Sequence, residues 1–283
     1  MMLVSGNARF QRVKPRPPLS DFVAGLWLFS GYQAAHEFEH LLPSGKVILV
    51  INLEELPVKC YEPGTLAVQQ TLRGPVLCGV HDVFEVVDTH AQREVMGVEF
   101  LPGGAPAFFD LPLDEMRGTD LPLEALWGPA ADELHDRLLH ASSGTRRLAI
   151  LEQALLGRLR ENARVHPVIA KAAAQLDRGG EPVEIAALAA AVGWSDRYFI
   201  KTFSEQVGIT PKVFGRIRRF QGALRRMKRD RECSWTELAL DCGYYDQAHF
   251  IREFKALAGM TPGAYRRLPV QDVNHVPLLL PVG

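Results

Sequence analysis

The last third of the chain carries one pattern twice, and this limits the fold more than any other feature. Gly193-Trp194-Ser195-Asp196 leads into Phe199, Phe203, Gly208, Thr210-Pro211 and Phe214. Gly243-Tyr244-Tyr245-Asp246 leads into Phe250, Phe254, Gly259, Thr261-Pro262 and Tyr265, each 50 or 51 positions after its counterpart. In each copy glycine supplies a turn and Ser195 or Asp246 caps the next helix. Two phenylalanines spaced i, i+4 then share a face, and Thr-Pro starts another helix. A helix–turn–helix unit of this kind lays its second helix in a DNA groove. Two on one chain imply adjacent groove contacts on one side of a duplex.

The repeat region is expected to be all helix. Segments 166–176, stopped by Gly179-Gly180, and 183–191 precede the first turn, Val192-Gly193-Trp194. Ser195 caps a helix to about residue 207, and Thr210 caps a long one to about residue 228. Ser234 caps the helix before the second turn, Cys242-Gly243-Tyr244. Asp246 opens the next helix, which Gly259 ends, and Thr261-Pro262 starts a last one. Opposite the phenylalanines lie Asp196, Arg197, Ile200, Lys201 and Ser204 in the first copy. The second copy places Gln247, Ala248, His249, Ile251, Arg252 and Lys255 there. Arg can fork onto guanine and Gln onto adenine, while short apolar side chains can touch the thymine methyl. Between the units run Arg216, Arg218, Arg219, Arg225, Arg226, Lys228, Arg229 and Arg231, a density that favours phosphate contact.

The chain's net charge of −1 hides an asymmetry. From Val165 to Leu268 there are 17 Lys+Arg against 11 Asp+Glu, and the remainder is acidic by seven charges. A basic segment joined to an acidic one suits a polyanion-binding module on a separate regulatory domain. No apolar run approaches the ~20 residues of a membrane span, and neither a signal peptide nor a membrane partner is expected. Cys60, Cys78, Cys233 and Cys242 form no C-x-x-C pair, which suits reduced thiols in a cytoplasmic protein. Pairing of Cys60 with Cys78 stays open.

Residues 1–109 read mostly as strand. The β-branched, apolar stretch 46–53 suits a buried strand, and 83–87 and 94–100 are further short ones. Pro43-Ser44-Gly45, Glu62-Pro63-Gly64 and Pro102-Gly103-Gly104 supply turns, so a small barrel or sandwich is expected. Across 113–163 leucines recur at helical spacing, predicting two or three helices with a loop at Ser142-Ser143-Gly144. Those helices could pack on their own domain or form a dimer interface. In a strand His36, Phe38 and His40 would share one face, with Glu37 and Glu39 turned away. A packed or surface strand is the preferred reading there over a metal site. His81 and His90 are too isolated to argue from.

Residues 165–267 resemble the DNA-binding domain of the AraC/XylS transcription regulators. The carrying residues are Ala187, Val192-Gly193-Trp194-Ser195, Phe199 and Phe203 in the first copy. In the second they are Leu238-Ala239, Gly243-Tyr244, Asp246, Phe250, Phe254-Lys255, Gly259, Thr261-Pro262 and Tyr265-Arg266. The resemblance implies seven helices with two recognition helices in successive major-groove segments. Carried over by position, it also implies DNA contacts from Asp196, Arg197, Ile200 and Lys201 in the first copy and from Gln247, Ala248, His249 and Arg252 in the second. Ser195 and Lys255 beside them are expected to contact DNA too, and Arg225 of the basic run to contact phosphate. The front half resembles a cupin-like sensor domain through Leu42-Pro43-Ser44-Gly45 and Gly97-Val98-Glu99-Phe100 with Pro102-Gly103-Gly104.

The expected fold is therefore α+β and multidomain: a cupin-like β-barrel with following helices, then an all-α domain with two helix-turn-helix units. The expected divisions are 1–112, 113–164, 165–268 and a tail, 269–283. The expected function is a non-enzymatic, sequence-specific regulator that binds promoter DNA and responds to a small-molecule effector. Contacts with RNA polymerase and a second copy of the chain are partners such a regulator could have, and no cofactor or metal is assigned. The alternatives are a ligand-independent regulator using its front domain for protein contacts, and a cupin-type metal enzyme fused to a DNA-binding domain.

Overall fold

The computed structural model describes residues 8–178, 184–269 and 272–278. Ten strands come first: β1 (Arg9–Val13), β2 (Val23–Ser30), β3 (Phe38–Leu41), β4 (Ile48–Asn52), β5 (Val58–Tyr61), β6 (Val68–Leu72), β7 (Pro75–Cys78), β8 (Glu85–Asp88), β9 (Glu94–Phe100) and β10 (Asp120–Pro122). A last strand, β11 (His275–Leu278), comes from the C-terminal end. They form two antiparallel sheets, ordered β1-β2-β9-β4-β7-β10 and β11-β3-β8-β5-β6. The front domain is thus two sheets, as in a cupin-like jelly roll, and not one closed barrel. Leu49, Ile51, Met96 and Val98 lie in the core of the first sheet, as the apolar stretches 46–53 and 94–100 anticipate, and Leu77 joins them there.

Helices α1 (Glu124–Trp127), α2 (Pro129–Leu139) and α3 (Gly144–Arg158) follow. Ser143 caps α3 by accepting a hydrogen bond from the Arg146 amide. The helical expectation for 113–163 fails at its start. Leu113–Met116 is one 3-10 turn, and Asp120–Pro122 pairs with β7 as an edge strand. Leu134, Leu138, Leu148, Leu151 and Leu155 enter the chain's own core, so these leucines need no second copy to cover them.

The C-terminal part consists of α4 (Pro167–Arg178), α5 (Ile185–Ala190), α6 (Asp196–Val207), α7 (Pro211–Arg229), α8 (Trp235–Asp241), α9 (Gln247–Ala258) and α10 (Pro262–Arg267). That makes seven helices among the described residues. The stop expected at Gly179-Gly180 and the helix start at Val183 lie outside them. Phe199, Phe203 and Phe214 join the core shared with the sheets, whereas Phe250, Phe254, Phe220 and Tyr265 build a second core. The aromatic pairs repeat with the sequence: Phe203 meets Phe214 edge-on at 5.8 Å, and Phe254 meets Tyr265 at 5.6 Å.

The two halves are bolted together along α7. Arg218 Nη1 donates to the Ser44 carbonyl at 3.0 Å, and Gln221 Nε2 donates to the Pro43 carbonyl at 2.8 Å and to Asn274 Oδ1 at 2.7 Å. The turn expected at Pro43-Ser44-Gly45 is therefore the grip on the bridging helix. Buried His40 donates from Nδ1 to the Ala258 carbonyl at 3.1 Å and stacks on Phe84. Burial lowers its pKa, so it sits there uncharged.

β11 closes the clamp by pairing with β3. The expectation that Glu39 turns away from His36 fails because the strand begins only at Phe38, which leaves His36 outside it and free to reach Glu39, itself 1% exposed. It accepts from Tyr32 at 2.8 Å, and its oxygens lie 2.7 Å from His36 Nε2 and 2.9 Å from His275 Nδ1. Burial alone would raise the Glu39 pKa, but His275, His36 and Tyr32 overcome it and hold the carboxyl down at about 2. Burial would lower the His275 pKa, yet Glu39, with Asp272 behind it, raises it. A raised histidine stabilises fully below its unfolded value and loses that contribution as pH rises through its folded value. A depressed carboxylate contributes above its unfolded value and loses that as pH falls towards 2. The tail strand should therefore dock best between the ordinary values of 4.5 and 6.5 and loosen at alkaline pH. Thermal unfolding followed against pH should show this loss, and His275→Gln should flatten the alkaline limb and also shrink the acid one, since His275 is the main partner holding Glu39 down.

Candidate nucleic-acid interface

Both recognition helices begin as their caps dictate. Ser195 Oγ accepts from the Tyr198 amide at 3.3 Å, and Asp246 Oδ1 accepts from the His249 amide at 2.6 Å. Thr210 and Thr261 cap α7 and α10 in the same way. Ser234 stands at the head of α8 but makes no side-chain capping bond, so its expected role reduces to backbone geometry. The turns use Gly193 at φ 72° and Gly243 at φ 76°, a region costly for residues with a Cβ.

On α6 the cap Ser195 and the residues Asp196, Arg197, Ile200 and Lys201 are all exposed beside one another, and Lys201 pairs with Glu205 at 3.5 Å. Ser204 does not share that face. It is buried, and its hydroxyl donates back to the Ile200 carbonyl at 2.8 Å. On α9, Ala248, Arg252 and Lys255 are exposed, while Gln247 is half-buried with its Oε1 accepting from Thr236 Oγ1 at 3.1 Å. His249 turns partly inward, its ring edge-on to Tyr244 at 5.5 Å and Nε2 3.7 Å from Glu253 Oε1. Ile251 packs against the second core and leaves the outward face. Two aromatics to which the sequence reading assigned no contact stand at the helix starts: Tyr198 is 52% exposed and Tyr245 is 88% exposed. Their positions, three residues after the cap Ser195 and one before the cap Asp246, were the available signal.

The basic run divides in two. Arg216 Nε donates to Glu253 Oε1 at 3.1 Å, and Arg219 lies 3.6 Å from Glu253 Oε2 and over the Tyr244 ring. Arg218 pairs with Asp177, Arg226 with Asp230, and Arg231 reaches the Arg266 carbonyl. These arginines hold helices together before they can meet phosphate. Arg225 stands on the exposed side of α7. Arg266 lies 3.3 Å over the Trp235 ring and ties α10 to α8.

The outward faces of α6 and α9 thus present cationic, amide and small apolar groups at equivalent places of a repeated unit. The chain matches a helix-turn-helix domain family over residues 188–268 and a domain of unknown function (DUF6597) over residues 11–122. It is 31% identical over 93 residues to the HTH-type transcriptional regulator MtrA of Neisseria gonorrhoeae, covering 32% of this chain and 30% of that protein. The chain therefore spans less than a third of the length of this curated relative. Among solved structures, ToxT of Vibrio cholerae O395 aligns at 11% identity and a TM-score of 0.45, over 91% of this chain and 96% of that one. ToxT from Vibrio cholerae strain SCE256, bound to unsaturated fatty acid, aligns at 10% identity and a TM-score of 0.45, over 94% and 97%. Among the described residues no helix is long and apolar enough to cross a membrane. With its duplicated units, their capped recognition helices and a family match that spans both copies of the repeat, the C-terminal part of the chain is a helix-turn-helix domain.

Proposed function

We propose that the chain is a cytoplasmic, sequence-specific regulator whose α6 and α9 enter successive major-groove segments of promoter DNA. The observation that carries this reading is the duplication of a capped, outward-facing helix at equal places of two units joined by α7. Arg197 and Arg252 are assigned base-edge contacts, with Asp196, Ile200, Lys201, Gln247 and Ala248 beside them. Ser195, Lys255, Arg225 and the exposed Tyr245 are assigned to phosphate. His249 acts from a more recessed position, so its share of base recognition is the smallest.

The front domain is assigned the sensing role. A recess of about 10 Å³ bounded by Lys46, Phe100, Leu113 and Val207 lies between the first sheet and the end of α6. That volume is room for about one water, so an organic effector entering there must move α6. Contacts with RNA polymerase and with a second copy of the chain belong to the same proposal.

Selection of bound sequences from random duplex DNA tests it. Two half-sites about one helical turn apart are expected, and recovery of no common sequence would overturn it. Arg225→Ala should weaken selected and scrambled duplexes alike and lower the slope of log affinity against log salt by about 0.9, read by fluorescence anisotropy across a salt series.

A further inference from the structure

In the front domain, three strands and one connecting loop bring unlike donor groups to one point between the two sheets. Cys60 comes from β5 and Glu85 from β8 in the second sheet, and Asp120 comes from β10 in the first. The Cys60 Sγ, a Glu85 carboxylate oxygen and an Asp120 carboxylate oxygen all lie within 4.8 Å of one another. His81, isolated in the sequence, stands against both carboxylates: Nδ1 is 3.2 Å from Glu85 Oε1 and Nε2 is 3.0 Å from Asp120 Oδ1. Cys78, paired across the ladder with Asp120, lies at the edge of the group, and its thiol is free, as is that of Cys60.

The surroundings favour added positive charge. Asp120 is 5% exposed and Cys60 8%. Burial, with Asp120 adding to it and only His81 opposing it, pushes the Glu85 carboxyl up to about 7. Burial and the nearby Glu85, Asp120 and Asp88 push the Cys60 thiol up to about 12. One imidazole thus faces two buried carboxylates and a thiol.

The segment that carries His81 also touches both DNA-binding units. Gly208 and Gly259 end the two recognition helices in the left-handed conformation, 51 positions apart. A Cβ on Gly208 would lie 3.1 Å from Val80 Cγ2, and one on Gly259 would lie 2.5 Å from the Phe84 ring. Residues 80–84 therefore run from the end of one recognition helix to the end of the other, with His81 between the two contacts and Glu85 directly after the second.

We propose that Cys60, Glu85 and Asp120, completed by His81, bind one divalent first-row transition metal ion of the zinc class, and that residues 80–85 transmit its occupancy to both helix-turn-helix units. One thiolate, one imidazole and two carboxylates make a borderline-soft, four-donor set suited to zinc or cobalt and poorly suited to calcium or magnesium. Metal–ligand bonds of about 2.0–2.3 Å put tetrahedral donors about 3.3–3.8 Å apart, so Cys60, Glu85 and Asp120 have to contract and His81 has to swing in as the fourth donor. Binding displaces the thiol proton and the shared imidazole–carboxylate proton to solvent, and His81 turns one nitrogen from a carboxylate to the ion. The transmission half of the proposal rests on the DNA-binding reading above, whereas the binding half does not.

The test uses the full-length chain, stripped of metal and titrated with cobalt(II). One equivalent should bind and give a thiolate-to-cobalt charge-transfer band, which zinc(II) then removes. Cys60→Ser should abolish the band, and Asp120→Asn and the isosteric Glu85→Gln should weaken binding by about tenfold or more. Cys242→Ser should change nothing. Thermal unfolding of the metal-free variants identifies any that fail to fold, and Glu85→Gln keeps the test open if Cys60→Ser is one of them. Absence of the band at saturating cobalt, or unchanged binding in folded variants, overturns the site. On the selected duplex, cobalt should change the affinity of the wild type several-fold and leave Cys60→Ser unaffected. Cobalt binding with no change in duplex affinity overturns the transmission and leaves the site standing. Failure to bind any duplex is a failure of the regulator reading, and the charge-transfer band still decides the site.

Discussion

Arg197→Ala combined with Arg252→Ala should all but abolish preference for the selected duplex while leaving the protein folded. Each arginine sits on the exposed face of its own recognition helix, and each forked contact with guanine is worth about 1–3 kcal/mol of discrimination. The two positions lie on different helices and share no partner, so their effects should add. The sum, about 2–6 kcal/mol, corresponds to roughly 30-fold to 10⁴-fold weaker specific binding. Scrambled duplex should lose far less, because it is held mainly through phosphate. The unfolding midpoint should barely move, since exposed substitutions of this kind stay within about 0.5 kcal/mol. Anisotropy titrations on both duplexes, beside a melting curve, give all three quantities. Equal affinity of variant and wild type for the selected duplex would remove α6 and α9 from the interface.

What was legible in the sequence is what local chemistry decides. The turn glycines, the i, i+4 phenylalanine pairs and the Thr-Pro starts act within a few residues of themselves, and the corresponding helices and caps follow. The exceptions are local too: Ser204 bonds back to the preceding turn, and Ser234 caps only by backbone geometry. The groups that escaped are those that strand order brings together. Glu39 meets His275 across 236 positions only because the tail strand pairs with β3. Cys60, Glu85 and Asp120 come from three strands in two sheets, so no spacing along the chain announces them. β10 escaped because its three residues sit inside a leucine-rich stretch whose period reads as helix.

The arginines of α7 teach the same point, and they lead to the largest expected loss of stability. A run of basic residues reads from sequence as a solvated or phosphate-binding face, yet Glu253 draws part of it inward. The Glu253 side chain is 16% exposed, lies on α9 between Phe250 and Phe254, and faces Arg216 and Arg219 on α7 together with His249 on its own helix. It thereby sets the angle at which the second recognition helix stands on the bridging helix. Glu253→Ala leaves two part-buried guanidinium groups facing each other without a counter-charge. Breaking a buried pair from one side costs about 3–5 kcal/mol. Because the arginines keep about a third of their exposure, about 2–4 kcal/mol is the better expectation. Glu253→Gln keeps an acceptor for Arg216 and should lose roughly half as much. A double-mutant cycle with Arg216→Ala should return a coupling of about 0.5–3 kcal/mol, and specific duplex binding should fall even under conditions where the variant remains folded. Denaturant unfolding of the four proteins of that cycle decides the matter. If Glu253→Ala unfolds at the wild-type midpoint, the second recognition helix is held by its phenylalanines alone, and the ion pairs at its base do not set its angle.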